Sequence, residues 1–251
     1  MAKLNAEEVA KRWDENAEIY AQHIQRYGDI NKEILVTPHL LEMLGELSGK
    51  RVLDAGCGEG FLSRLMAERG ASVLAVDYSE KMLAIARERS QAELEIDYRQ
   101  ANLEKMAGFS AKEFDLAVSS LVIQDLPDYK AAIGEIYRLL QPGGRFIMAI
   151  AHPCFSSDGA WERDAEEKKL FWRVDNYFRE RPIEQSWPAG AKSKSIYFHR
   201  TLTSYYRALL DAGFAVEDML EPAPTAEAIE KHPHFADDMR MTHFLIFNLR
   251  K

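Results

Sequence analysis

Apolar and polar positions follow one another along this chain in two rhythms. Residues 6–26 carry a helical pattern, and residues 34–47 a second one that ends near Gly49. Residues 51–55 form a short apolar run that predicts a strand. A helix over 60–69 follows, stopped by Gly70. Residues 72–77 predict the next strand, and Ser79 stands as an N-cap before a helix over 81–89. Residues 94–99 alternate like a strand and 114–120 read as a buried one. A helix over 129–140 and the turn Pro142-Gly143-Gly144 then lead into a strand over 145–151. Strands separated by crossover helices predict an α/β protein with a doubly wound parallel sheet.

After Ala151 this rhythm breaks. Residues 152–200 show no clear periodic strand, yet they hold nine aromatic residues, among them Phe155, Trp161, Trp172, Trp187 and Tyr197. A connection of that length in a compact domain is a lid, a binding loop or a small subdomain. The pattern resumes with a helix over 202–212 closed by Gly213, a strand over 214–220 and a last strand over 241–249. Between those strands lies a second insert, 221–240, with three prolines and the sequence His232-Pro233-His234. The expected organisation is therefore cap helices over 1–48, a core over 49–151, a lid insert over 152–200, and the rest of the core over 201–251.

Composition narrows the class. The chain has 251 residues, 47% hydrophobic and 29% charged, which is one globular domain with an elaboration or two small ones. No apolar run reaches the ~18 residues of a membrane span, and the first residues carry no secretory leader pattern. Two cysteines make neither a disulfide scaffold nor a four-ligand zinc site, which fits a reducing, cytoplasmic setting. A net charge of −8 and the lack of a basic stripe argue against a nucleic-acid or anionic-membrane partner.

The chemistry concentrates at Val52-Leu53-Asp54-Ala55-Gly56-Cys57-Gly58-Glu59-Gly60-Phe61. This is a strand, a glycine turn and a helix start, the place where open α/β sheets bind ligands. Phe61 stands where a dinucleotide fingerprint needs its third glycine, and no Gly-Lys-Ser/Thr follows, which excludes a P-loop. Asp54 at the strand end suits a cationic ligand better than a pyrophosphate.

With these residues the chain resembles the class I S-adenosylmethionine-dependent methyltransferases, in particular the small-molecule group that includes the ubiquinone/menaquinone C-methyltransferases. Four further stretches carry the resemblance: Val73-Leu74-Ala75-Val76-Asp77-Tyr78-Ser79, Gln100-Ala101-Asn102-Leu103, residues 114–120, and residues 139–146. It implies a seven-stranded, mostly parallel sheet whose last strand is antiparallel, and S-adenosyl-L-methionine as cofactor. It further implies that Asp54, Gly56, Cys57, Gly58 and Gly60 line the cofactor and that Asp77 holds its ribose hydroxyls. Tyr78, Asn102, Leu103 and Ser119 complete the cofactor site, and Tyr20 lies over it. Asn102 stands where the family has an acid; its side-chain oxygen either accepts the adenine amino group or caps a turn. Ser119 and Leu121 are expected to line the cofactor through their backbone, Ser120 is read as strand filler, and Cys57 as packing material rather than a nucleophile.

Candidates for the chemical step are fewer. His152 lies just beyond the fifth strand and is either a general base or a hydrogen-bonded loop histidine. Tyr20, and as second choice Tyr27, either faces the sulfonium with its ring or is a core or helix-packing aromatic. His199 beside Arg200 orients an anionic substrate or caps the next helix. By the same resemblance Gln124 and Asp125 face this edge of the sheet, or Asp125 caps the next helix instead. His232 and His234, near Asp237 and Asp238, read as surface groups rather than metal ligands, and no metal is expected.

The acceptor is read by elimination. Ser119-Ser120-Leu121-Val122 lacks the Asn/Asp-Pro-Pro-aromatic signature of enzymes that methylate adenine or glutamine nitrogen, and no cysteine motif for attack on cytosine is present. The remaining expectation is O- or C-methylation of a small organic molecule, enclosed by the aromatic insert unless those aromatics form a mini-core of their own. A cofactor-binding regulatory protein without turnover and a tRNA or protein methyltransferase are the rival readings.

Overall fold

The computed structural model describes residues 4–26, 28–156, 159–185 and 191–251; Tyr27 and Trp187 lie outside them. Seven strands form one sheet: β1 (Arg51–Ala55), β2 (Ser72–Asp77), β3 (Ile96–Gln100), β4 (Phe114–Ser120), β5 (Leu140–Ala151), β10 (Ala215–Leu220) and β11 (Phe244–Arg250). Their order is β10-β11-β5-β4-β1-β2-β3, and only β11 runs antiparallel to its neighbours. The chain thus starts in the middle, winds outward through β2 and β3, and returns to lay β4 on the other side of β1. A crevice opens at the carboxyl ends of β1 and β4, the switch point of the fold.

Local chemistry sets the crossover helices α3 (Phe61–Ala67), α4 (Glu80–Arg89), α5 (Tyr129–Leu139) and α6 (Leu202–Ala212). Ser79, Asp128 and Thr201 each cap their helix by accepting a backbone N–H in the first turn. Gly213 closes α6 at φ 104°, a conformation that costs an L-residue energy. Ala132, Ile133, Ile136 and Leu139 turn one face of α5 onto the sheet, where they are fully buried with Phe146 and Phe247. Burial on both faces explains why β1, β4 and β5 read as continuous apolar runs.

Three expectations change. The helix expected over 34–47 is a π-helical turn, Lys32–Val36, followed by α2 (Thr37–Leu44), and it stops at Gly45 rather than Gly49. Residues 152–200, expected without strands, hold two antiparallel ribbons: β6 (Ala160–Arg163) with β7 (Lys169–Arg173), and β8 (Arg181–Gln185) with β9 (Ser195–His199). In β6, β7 and β8 charged and exposed residues stand on both faces, and a bulge at Glu162/Arg163 shifts the register, so no alternation is visible in the sequence. The proline-rich insert is also structured. It holds α7 (Ala226–Lys231) and a 3-10 turn, Pro233–Met239, whose Phe235 is fully buried against the second core cluster.

The first helix, α1 (Ala6–Gln22), is tied down by polar side chains rather than by a broad apolar face. The hydroxyl of Ser79 donates to Asp14 at 2.5 Å, joining α1 to the cap of α4. Asn16, fully buried, donates to the carbonyl and hydroxyl of Ser193 at 3.1 and 2.9 Å and accepts from the Lys192 N–H at 2.9 Å. Helix α1 therefore bridges the sheet and the segment before β9, roofing the crevice.

Candidate active site

Between β1 and α3 the backbone turns through Gly56, Gly58 and Gly60 at φ of 85°, 56° and 82°. The first two serve different ends. A Cβ on Gly56 would stand 2.4 Å from Val122 Cγ1, so here the turn packs against the loop after β4. A Cβ on Gly58 would meet nothing within 4 Å, because this part of the turn faces a cavity. Glu59 anchors the turn from behind: it is 1% exposed and pairs with Arg64 and Arg89, each at 2.9 Å.

Two carboxylates stand beside the turn. Asp77 Oδ2 accepts the Gly58 N–H at 2.8 Å and Oδ1 accepts the Ser79 N–H at 2.9 Å, which fixes the carboxylate's plane at the end of β2. Burial raises its pKa, and those N–H bonds oppose the rise. Asp54, 2% exposed at the end of β1, accepts the Ser63 hydroxyl at 2.5 Å. Burial raises its pKa to about 7; the Ser63 bond opposes this and the charge of Asp77 adds to it.

The cavity has a volume of about 610 Å³. On its wall the structure brings together Asp54, Gly56, Cys57, Gly58 and Asp77 from the β1 and β2 ends. Tyr78, Asn102 and Leu103 extend that wall, and Ser120, Leu121, Gln124 and Asp125 form the edge after β4. Asn102 Oδ1 accepts the Glu104 N–H at 2.8 Å, so it caps a turn while one lone pair remains. The Cys57 thiol is buried, which pushes its pKa well up. Tyr20 reaches the cavity from α1, its ring edge-on to Trp13 at 5.2 Å.

Four of the cofactor and catalytic candidates lie outside the set that lines the cavity. Gly60 packs under the Tyr98 hydroxyl. Ser119 is fully buried and donates to the Ala55 carbonyl at 2.9 Å. His152 has both ring nitrogens engaged, Nε2 with Glu221 at 2.7 Å and Nδ1 with the Cys154 N–H at 3.2 Å. His199 Nε2 donates to the Tyr177 carbonyl at 2.7 Å, and its Nδ1 is buried without a partner. Asp237 and Asp238 pair with Lys169 and His243, not with His232 or His234.

The sequence reading missed Lys32. It is 7% exposed, lines the cavity, bonds the Tyr20 hydroxyl, and lies 3.5 Å from Asp29 and 5.8 Å from the Phe61 ring centroid. Between Asn31 and Glu33 it has the sequence signature of a surface lysine; the π-helical turn is what buries it. Ser156, Gln185, Ser195 and Tyr197 were missed as well. Of the insert's described aromatics, Tyr197 reaches the cavity wall. Trp161 and Trp172 pack on each other at 5.6 Å, while Phe171 and Phe178 are exposed.

Comparison with known proteins bears directly on this arrangement. A methyltransferase-domain family model matches residues 53–148, which span β1 to β5. The crystal structure of an S-adenosylmethionine-dependent methyltransferase from Mesorhizobium loti superposes with a TM-score of 0.78 at 34% identity, covering 90% of this chain and all of that one. The chain belongs to the S-adenosylmethionine-dependent methyltransferases. Its cofactor is S-adenosylmethionine, and its activity is methyl transfer. A ubiquinone biosynthesis O-methyltransferase of Pseudomonas aeruginosa is 36% identical over 157 residues, 59% of this chain, and the chain spans 64% of that enzyme's length. A phosphoethanolamine N-methyltransferase of Haemonchus contortus, solved with S-adenosyl-L-methionine, shares the fold at 18% identity with a TM-score of 0.62, over 97% of this chain and 60% of that one.

The methyltransferase's cavity suits that cofactor. Gly58 leaves room for a ligand against its backbone, Asp77 is held in one plane beside it, and Asp54 places a second carboxyl group on the same wall, acceptors that suit the hydroxyls and the amino group of that cofactor. Among the described residues no helix is long and apolar enough to cross a membrane.

Proposed function

We propose that the protein methylates a small organic acceptor at oxygen or carbon in the cytoplasm. The observation that carries the reading is the pairing of the open Gly58 backbone with the Asp77 carboxylate on one cavity wall, in the family's order. In this reading Asp77 accepts the ribose hydroxyls through the lone pairs its two N–H bonds leave free. Tyr78, Asn102 and Leu103 border the adenine, and Asp54 takes the amino group of the methionine end. Lys32, a buried cation at the far side of the glycine turn, takes its carboxylate. Bound there, the cofactor supplies an activated methyl group, so the protein's share is alignment and exclusion of water.

Residues 1–48 and 152–200 act as the roof and the acceptor side. Ser156, Gln185, Ser195 and Tyr197 offer polar, uncharged contacts there, which supports a small polar molecule over a nucleic acid. Two free cysteines support a reducing compartment.

Calorimetric titration with S-adenosylhomocysteine tests the reading. The wild type is expected to bind in the micromolar range. Asp77→Ala is expected to lose ~2–4 kcal/mol, roughly 30- to 1,000-fold in affinity, because ligand hydroxyls lose a charged acceptor. Equal binding by the variant removes Asp77 from the site.

A further inference from the structure

Two polar groups at the β4 end of the cavity have no hydrogen-bond partner among the described residues. The Ser120 hydroxyl, on the last residue of β4, is enclosed without a hydrogen bond. Asp125 ends the 3-10 turn Ile123–Asp125 and lines the cavity, and among the described residues nothing donates a hydrogen bond to its carboxylate. An enclosed hydroxyl left unpaired costs about 1–3 kcal/mol, whereas the half-buried Asp125 carboxylate is open to whatever enters the cavity.

The turn cannot swing to find partners. Arg200, 5% exposed, donates to the carbonyls of Ile123 at 3.4 Å, Pro127 at 3.3 Å and Leu126, and lies 4.1 Å from the Tyr129 ring centroid. Gln124 donates to the Leu121 carbonyl and accepts the Ala151 N–H, both at 3.2 Å. The Asp125 N–H is held by the Val122 carbonyl at 2.8 Å. A buried arginine spent on three carbonyls keeps one carboxylate in place beside an open cavity.

We propose that Asp125 takes the proton of the methyl acceptor, and that the acceptor is therefore an O–H group of a small molecule. This rests on the methyltransferase reading above. As the acceptor heteroatom's electron pair forms its bond to the methyl carbon, the carbon–sulfur pair returns to sulfur. The acceptor's bond to hydrogen breaks, and its proton passes to the Asp125 carboxylate and then to water. Burial lifts the pKa of Asp125 well above the carboxylate range; Lys32 and Arg200 pull it back, and Asp77 adds to the rise. Tyr205, on α6, also faces it. A carboxylate raised in this way is a better base at neutral pH than an ordinary one.

The test supplies 13C-methyl S-adenosylmethionine and a protein-free small-molecule cell extract to the wild type, Asp125→Asn and Asp125→Glu. It reads the labelled product by NMR, initial rates against pH, and S-adenosylhomocysteine affinity by calorimetry. The label is expected on oxygen, with a wild-type rate that rises with pH at values above the carboxylate range. Asp125→Asn should lose that rising limb and roughly 100-fold in rate, keep S-adenosylhomocysteine affinity within about threefold, and be partly rescued in Asp125→Glu. A label on carbon or nitrogen, an unchanged rate or limb in Asp125→Asn, or cofactor binding without any product overturns the inference. Failure of the wild type to bind S-adenosylhomocysteine overturns the underlying reading instead.

Discussion

Around Gly58 the cavity wall is backbone at the edge of a sheet, whereas around Asn16 the roof is one side chain bonded to residues 192 and 193. Val52, Leu53, Ala117, Val118, Phe146 and Ile147, behind the first wall, are wholly buried, so its position follows from apolar packing that cannot be undone locally. The roof depends on a few directed bonds: Arg12 to Glu184 at 2.9 Å, Asp14 to Ser79, and Asn16 to Lys192 and Ser193. Each such bond contributes about 0.5–1.5 kcal/mol. A molecule built this way keeps its cofactor wall rigid and can release its roof at a cost far below global unfolding.

The largest expected effects come from the glycine turn, where two neighbouring positions separate fold from binding. Gly56→Val drives a side chain into Val122, three of whose atoms lie within 2.9 Å of the new Cβ. Steric overlap and a left-handed backbone together should cost stability ~3 kcal/mol or more, seen in the denaturant midpoint. Gly58→Val bears only the backbone strain, ~1–2 kcal/mol, while its side chain fills the cavity. It should fold and lose S-adenosylhomocysteine binding by two orders of magnitude or more. Normal binding by Gly58→Val shows that the ligand does not approach this wall.

Asp54 sharpens the same wall electrostatically. Its folded pKa of about 7 lies above the ordinary 3.8, so folding favours the protonated form. That contribution to stability is complete below the ordinary value and disappears as pH rises through 7. Unliganded Asp54→Asn should therefore be less sensitive to pH between 4 and 8 than the wild type, in thermal melts. Binding has the opposite sign, because a cationic amino group needs the carboxylate ionised. Wild-type affinity for S-adenosylhomocysteine should fall as pH drops below 7, and Asp54→Asn should bind roughly 10- to 150-fold more weakly at pH 8. Parallel pH profiles in the two proteins remove Asp54 from the ligand.

The same division governs what could be read from the sequence. β1, β2 and β4 were legible to the residue because burial writes an apolar run, ended after β1 by a glycine turn, at β2 by Asp77 and the Ser79 cap, and at β4 by two serines. Side-chain parity was not. At the end of β4 the sequence offers Ser119 through its backbone and Ser120 as strand filler, yet Ser119 is wholly buried, bonded to Ala55, and it is Ser120 that lines the cavity. The end of β5 repeats the lesson: Ala151 lines the cavity, and His152 turns away to Glu221. Lys32 and the ribbons of 152–200 were hidden for another reason. Their positions depend on a π-helical turn and on contacts with distant segments, neither of which leaves a period in the sequence.

The smallest predicted effect isolates the roof. Asn16→Ala deletes the bonds to Ser193 and Lys192, but those groups lie near solvent and can rehydrate, so the cost should be only about 1 kcal/mol in a chemical melt. Because Asn16 is absent from the cavity wall, affinity for S-adenosylhomocysteine should stay within about twofold. What should change is hydrogen exchange: backbone amides of 192–195 should exchange faster while those of β1 and β4 keep wild-type protection. Equal loss of protection in β1 and β4 would show that roof and sheet unfold as one unit, and the contrast between the two walls would not hold.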